Sequence, residues 1–230
     1  SVKGHKFAKF ISYGNGTTLD ESDIIEYLGR DKDTKVICLY VEAVKNGKKF
    51  IKIMKKVSRK KPIIAIKGGK SIEGNKATIS HTGSLAGDAE VYFGVFKQVG
   101  IIKAETLGEM LDFASVFENC MKPNGNRIQV ITNGGGYGIL SVDAISKDKN
   151  LKIAEMSKKT FNILKKEFPP LVSVGNPIDL VGDATTERYR IAIEQCIRDK
   201  QIDILLIIAL YQTPLITTDI VDLITEYNDL

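Results

Sequence analysis

Lys35-Val36-Ile37-Cys38-Leu39-Tyr40-Val41 decides the fold. After the lysine the run stays apolar to its end. A strand with one face in water alternates polar and apolar side chains. An unbroken apolar run is the pattern of a strand covered on both faces, as in parallel sheets. The run stops at Glu42, which puts a carboxylate at the carboxyl end of that strand.

The flanking sequence supplies the helices such a sheet needs. Asn46 to Lys60 is amphipathic, with Phe50, Ile53, Met54 and Val57 at helical spacing. Pro62 opens a second buried strand, Ile63-Ile64-Ala65-Ile66. Upstream, Asp20 starts a short helix with Ile24, Ile25 and Leu28 on one face, and Phe7 to Tyr13 reads as β-like until Gly14-Asn15-Gly16 breaks it. Downstream come a lysine- and glycine-rich loop from Lys67 to Lys76, a helix from about Ser84 to Val99, a short strand at Ile101-Ile102 and a helix from about Thr106 to Cys120. Alternating strands and helices predict an α/β fold with a parallel sheet and helices on both faces.

Lys122-Pro123-Asn124-Gly125-Asn126 reads as a linker, and the alternation then restarts. The predicted division is a first unit at 1–122, a linker at 123–126 and a second unit at 127–230. In the second unit Ile128 to Ile131 is a strand, Thr132 to Gly138 a glycine turn, and Ile204 to Leu210 the last strand. Helices are expected to about Lys147, from Ser157 to Phe168, from Thr186 to Asp199 and from Thr217 to Tyr227. Only two or three strands are evident there, fewer than a doubly wound sheet usually has. That shortage and the ending on a helix predict a C-terminally truncated second unit.

Composition narrows the function classes. The 230 residues are 43% hydrophobic and 27% charged, as in a water-soluble globular protein. The net charge of +5 comes from scattered lysines with no basic stripe interleaved with aromatics, which argues against nucleic-acid binding. No apolar run approaches a membrane span. Cys38, Cys120 and Cys196 are far apart and share no metal-like spacing, so no metal site is expected and a reducing, cytoplasmic setting is.

The chemistry is expected in Ile79-Ser80-His81-Thr82-Gly83-Ser84-Leu85-Ala86-Gly87. Ser84 fits an N-cap, and a helix N-terminus amid Thr, Gly and Ser presents free N–H groups and a positive dipole end to an anion. A neutral imidazole beside it can attack phosphorus. Taken alone, His81 is as well explained as an ordinary surface histidine. Glu42 lies at the same sheet edge and could accept a hydrogen bond from one imidazole nitrogen, leaving the other as nucleophile; alone it is equally a solvated strand-end glutamate. Lys67-Gly68-Gly69-Lys70-Ser71 fails as a Walker A motif, because Ile64 stands where a glycine is needed. Asn133-Gly134-Gly135-Gly136 fails as a Rossmann fingerprint, because the third glycine would fall at Ile139. It remains a strand–glycine–helix turn at the carboxyl edge of a sheet, where open α/β folds bind ligands.

Together these motifs resemble the NDP-forming acyl-CoA synthetases, relatives of succinyl-CoA synthetase. The resemblance covers nearly the whole chain. It is carried by Ile11-Ser12-Tyr13-Gly14-Asn15, by Leu39-Tyr40-Val41-Glu42, and by Lys61-Pro62, Lys67, Gly69, Ser71 and Gly74. It continues through Ser80-His81-Thr82-Gly83-Ser84-Leu85-Ala86-Gly87, Ile131 to Gly138 and Gly175-Asn176-Pro177-Ile178-Asp179-Leu180. It implies two flavodoxin-like domains. It makes His81 the phosphoryl carrier and Glu42 its partner. Thr82, Gly83 and Ser84 would lead into one phosphate-facing helix, and Asn133, Gly134, Gly135 and Gly136 into another. The implied cycle turns acyl-CoA and phosphate into an acyl phosphate, passes the phosphoryl group to His81, and swings its loop to a site where ADP becomes ATP. CoA and ADP or ATP with Mg2+ belong to the full enzyme, with none held tightly by this part. The implied partners are a CoA-binding Rossmann domain and an ATP-grasp domain or subunit, in an oligomer. Nothing here resembles those two domains. The family's first strand and helix are missing before Ser1, so the chain is expected to be part of a larger protein and inactive by itself. The competing expectation is a regulatory module that senses acyl-CoA or nucleotide, fused to an acetyltransferase. A flavodoxin-like domain binding flavin or another nucleotide is a third.

Overall fold

A computed structural model describes residues 6–14, 16, 18–82 and 87–227, without the side chains of residues 77 and 79–82. The chain divides into two compact units, Ser1–Cys120 and Met121–Leu230.

In the first unit the run read above forms β1 (Ile37–Val41) and the second forms β2 (Ile63–Lys67). With β3 (Ile102–Lys103) they make a parallel sheet in the order β1-β2-β3. Helices α1 (Glu21–Arg30), α2 (Gly47–Val57) and α4 (Ala89–Val99) cover one face, and α5 (Leu107–Asn119) covers the other. That is why β1 is apolar throughout and β2 is apolar up to Lys67. Ile63 and Ile64 are both fully buried, and such a burial contributes roughly 1.5–3 kcal/mol per side chain.

Three expectations change here. Phe7 to Tyr13 forms no strand among its residues, and Phe10 is 87% exposed. Its apolar content is not matched by a ladder, since β1 pairs with β2 alone. The second half of the Lys67–Lys76 segment expected as a loop is helix, the start of α3 (Ile72–Thr82). Ser71 Oγ accepts the Gly74 N–H at 3.0 Å, and Glu73 sits in the first turn, so an N-cap offsets the weak helix propensity of Gly74. The helix expected from Ser84 starts at Ala89, where Asp88 accepts the Glu90 N–H at 2.8 Å. Ser84 itself lies outside the described residues.

In the second unit β4 (Arg127–Thr132) is central. It pairs in parallel with β5 (Lys152–Ile153), β6 (Ile178–Asp179) and β7 (Ile204–Ile208). Ile128 pairs with both Ile153 and Ile204, and Thr132 with both Asp179 and Ile208. Hence β5 and β6 share one edge of β4, and β7 takes the other. Four strands replace the two or three expected, because β5 and β6 are too short to show a pattern. The gap between them is filled by Asn176. Its Nδ2 donates to the Ile128 and Ala154 carbonyls, and its Oδ1 accepts the Val130 N–H. Helices α7 (Lys158–Glu167), α8 (Thr186–Ile197) and α9 (Asp219–Glu226) pack on one face, and α6 (Gly135–Lys147) on the other. Among the described residues no helix is long and apolar enough to cross a membrane.

Candidate functional site

β1 and β2 leave their sheet side by side. Val41 is the register partner of Lys67, and the Gly68 N–H donates to the Val41 carbonyl at 2.9 Å. Glu42 is thus the first residue beyond one strand and Gly68 the first beyond the next. Two side chains roof Gly68. A Cβ there would collide with Tyr40 Oη and stand 3.2 Å from Glu42 Cγ. Tyr40 Oη donates to Glu42 Oε1 at 3.1 Å, which fixes one carboxylate oxygen on the half-buried glutamate.

Lys67 closes β2 and is 1% exposed. Its Nζ donates to the Gly68 carbonyl and stands 4.7 Å from the centre of the Tyr92 ring. Burial pushes the ammonium's pKa down, and attraction to Glu42 opposes that. Tyr13 faces the same charges. Burial first, then Glu21, Asp20 and Glu42, push its phenol up to about 12. Glu21 is buried, with Oε1 lacking a partner among the described residues, and its burial raises its own pKa. The Asp20–Asp23 capping box opens α1, and Lys49 bridges both carboxylates at 3.0 and 2.7 Å.

His81 and Thr82 lie in the last turn of α3, the helix that begins four residues beyond Gly68. Their side chains, and the whole of Gly83 and Ser84, lie outside the described residues. The structure therefore places Glu42 at the root of the segment that carries His81. The tertiary structure adds two residues with no role assigned from the sequence, Lys67 and Tyr92. Lys67 had a signal: a lysine in phase with the buried residues of an apolar strand. Tyr92 had none, being one apolar residue among many on a helix.

The glycine turn of the second unit is built differently from expectation. Asn133 is 3% exposed, and its amide is fully engaged. Oδ1 accepts from the Leu210 N–H at 2.8 Å and Tyr189 Oη at 3.0 Å, while Nδ2 donates to Thr213 Oγ1 and the Leu210 carbonyl. The side chain ties the end of β4 to the loop after β7, so only backbone groups of this turn remain for an anion. A Cβ on Gly134 would displace the end of the Leu210 side chain. Gly135 and Gly136 are the first residues of α6, whose N–H groups have no acceptor within the helix. Space at Gly136 is open, but Asp179 Oδ2 would stand 2.6 Å from a Cβ on Gly135. The α6 N-terminus thus already faces one carboxylate. Asp179 Oδ1 accepts from the N–H of Val181, a β-branched residue held at φ 59°. Among the described residues no group of three or more His, Cys, Asp or Glu could hold a metal ion.

Comparison with known proteins follows this geometry. The family model described as succinyl-CoA ligase like flavodoxin domain matches residues 1–117, and that described as Ligase-CoA domain matches residues 128–226. The chain is 44% identical over 207 residues to the ADP-forming acetate–CoA ligase II subunit alpha of Pyrococcus furiosus, covering 90% of this chain and 45% of the relative. It is 45% identical over 181 residues to the ADP-forming acetate–CoA ligase of Methanocaldococcus jannaschii, covering 79% of this chain and 25% of that one. A solved structure of the dinucleotide-forming acetyl-coenzyme A synthetase 1 of Ca. Korarchaeum cryptofilum, in complex with phosphate and ADP, superposes with a TM-score of 0.84 at 34% identity. It covers 94% of this chain and 48% of that one. The chain thus spans at most about half the length of these relatives. With two contiguous domain matches and α/β units of the expected kind, the chain belongs to the NDP-forming acyl-CoA synthetase family, the succinyl-CoA synthetase relatives.

Proposed function

We propose that this chain is the phosphohistidine-bearing part of an NDP-forming acyl-CoA synthetase, with His81 as phosphoryl carrier and Glu42 as its partner. The whole reaction is acyl-CoA, ADP and phosphate giving carboxylic acid, CoA and ATP. The observation that carries the reading is the juxtaposition of Glu42 with Gly68, the root of the His81 segment.

In the central step an imidazole nitrogen of His81 attacks the phosphorus of an acyl phosphate. The N–P bond forms, the P–O bond to the acyl group breaks, and the carboxylate leaves. Glu42 accepts the hydrogen bond of the other ring nitrogen and stabilises the positive charge that develops on the ring. With Tyr40 on one carboxylate oxygen, the second is available to the imidazole. Thr82, Gly83 and Ser84 are the proposed phosphate contacts in the first unit as the residues that follow His81, not as a helix N-terminus, since α3 ends at Thr82 and α4 begins at Ala89. In the second unit the backbone N–H groups of Gly134 to Gly136 are proposed, with Asn133 a structural anchor of that turn.

CoA, the nucleotide, a CoA-binding Rossmann domain, an ATP-grasp domain or subunit, an oligomeric state and a cytoplasmic location complete this reading. Mg2+ accompanies the nucleotide. In this reading it belongs with the nucleotide-binding partner.

The test uses the complete protein with acetyl phosphate or Mg-ATP and locates the phosphate by mass spectrometry. Phosphate on His81, lost in His81→Asn, is expected, with a slowing of about 10²-fold or more in Glu42→Gln. A phosphate found elsewhere, or full turnover by His81→Asn, would overturn the assignment.

A further inference from the structure

Tyr92 of α4 meets two separate segments of the first unit. Its Oη accepts the N–H of Val44 at 2.8 Å, in the loop just beyond Glu42. Its ring face carries Lys67 Nζ at 4.7 Å. The two contacts are the strand end that holds Glu42 and the near root of the segment that carries His81. Gly87, five residues before Tyr92, leaves the ring its room: a Cβ there would stand 3.1 Å from Tyr92 Cε2. The same Lys67 ammonium also donates to the Gly68 carbonyl, the first residue of that segment. Near each root is a glycine in the left-handed region, Gly69 at φ 69° and Gly87 at φ 70°. Such positions absorb backbone rotation at little steric cost.

Packing alone does not account for the charge. An ammonium 1% exposed is costly to bury, and an apolar side chain of the same length would fill the space without that cost. What the charge adds is direction. It bonds one carbonyl, attracts one ring face and lies in the field of one carboxylate.

We infer that Lys67 and Tyr92 form a positioning pair, which pins the Gly68 root of the His81 segment to the strand end carrying Glu42 and so sets where the histidine stands for phosphoryl transfer. This rests on the carrier reading of His81. Neither residue touches the reacting atoms; both act through Glu42 and the segment's Gly68 root.

The test is rapid-quench measurement of phospho-His81 formation from acetyl phosphate in the complete protein, with rate constant and KM separated and melting temperature recorded for each variant. Lys67→Met and Tyr92→Leu are each expected to lower the rate constant about 10- to 100-fold, the scale of a misplaced reacting group, while KM for acetyl phosphate stays nearly constant. The double variant is expected to be no slower than the slower single one, because the two act as a unit. Lys67→Arg, which stacks on an aromatic face, is expected to recover most of the rate. If Lys67→Met does not fold, Tyr92→Phe against Tyr92→Leu carries the comparison. The ring-retaining variant is expected to be clearly faster, and equal rates overturn the pair. Unchanged rates, or losses that multiply in the double variant, also overturn it. Absence of phospho-His81 in the unsubstituted protein sinks the carrier reading and the pair together. Its presence alongside unaffected variants sinks the pair alone.

Discussion

Glu42 lies across Gly68. The Cβ that any other residue would bring to position 68 would stand 3.2 Å from Glu42 Cγ and collide with Tyr40 Oη. The carboxylate at the end of one strand therefore depends on a missing side chain at the end of its neighbour. Gly68→Ala is expected to push the exposed Tyr40 ring aside and nudge Glu42, at a stability cost of only about 0.5 kcal/mol. It is also expected to slow phospho-His81 formation about tenfold or more by moving Glu42. Denaturant unfolding and phosphoprotein yield measure the two effects. An alanine variant with normal stability and a normal rate would show that Glu42 does not need this space.

Asn133 is predicted to matter for folding before chemistry. Asn133→Ala takes the acceptor from the Leu210 N–H and from the buried Tyr189 hydroxyl, while the Leu210 carbonyl keeps Thr213 Oγ1. It is expected to destabilise the protein by about 1–3 kcal/mol. Tyr189→Phe removes a hydroxyl shared between this amide and the Ile208 carbonyl, 2.7 Å away, and is expected to cost about 1 kcal/mol. Equal, small effects from both would contradict the anchoring role.

Asp179 holds negative charge at the α6 N-terminus, beside Gly135. If that terminus takes a phosphate, Asp179→Asn should tighten phosphate binding, because a carboxylate no longer opposes the incoming anion. A change of about 0.3–1 kcal/mol corresponds to roughly two- to fivefold in Kd. Titration of the complete protein with inorganic phosphate reads it. Weaker binding would mean that Asp179 orders the turn more than it repels the anion.

Glu105 gives a pH dependence of defined sign. Hydrogen bonds from Lys103 first and Lys70 next pull its carboxyl down to about 2, from an ordinary 4.5. A folded pKa below the unfolded one means that the ionised form favours folding. The contribution is complete above pH 4.5 and is lost as pH falls toward 2. The carboxylate is half exposed, so solvent screening keeps the effect small. Glu105→Gln is expected to flatten the acid limb of stability in that window and leave the neutral region nearly unchanged in shape. A directly measured Glu105 pKa near 4.5 would contradict both bridges.

Val181 is the one non-glycine residue at positive φ among the described residues. Strain of this kind costs on the order of 1–3 kcal/mol. Val181→Gly relieves it but loosens the unfolded chain and loses packing, so a net gain of at most about 1 kcal/mol is expected. A large loss in thermal unfolding would show that the valine's packing in the second core outweighs its backbone strain.

The sequence by itself determined the strands β1, β2, β3, β4 and β7, β3 to within one residue, most of the helices and the parallel sheets. Those features follow from long apolar runs and helical spacing, which are local properties of the chain. It also marked Glu42 as a strand-end carboxylate, and the family resemblance singled out His81. Only the tertiary structure decided the rest. β5 and β6 are two residues each and exist because β4 offers them a partner. The amide of Asn133 turns inward because Leu210, 77 positions away, presents its backbone there. Lys67 and Tyr92 come together only once β2 and α4 pack. The segment after Lys67 is different: it looks like a loop because glycine is a weak helix former, but the Ser71 cap that makes it α3 is itself local. Periodicity records which face of an element is buried. Which polar group meets which depends on contacts between residues far apart in the chain, and no local pattern encodes those.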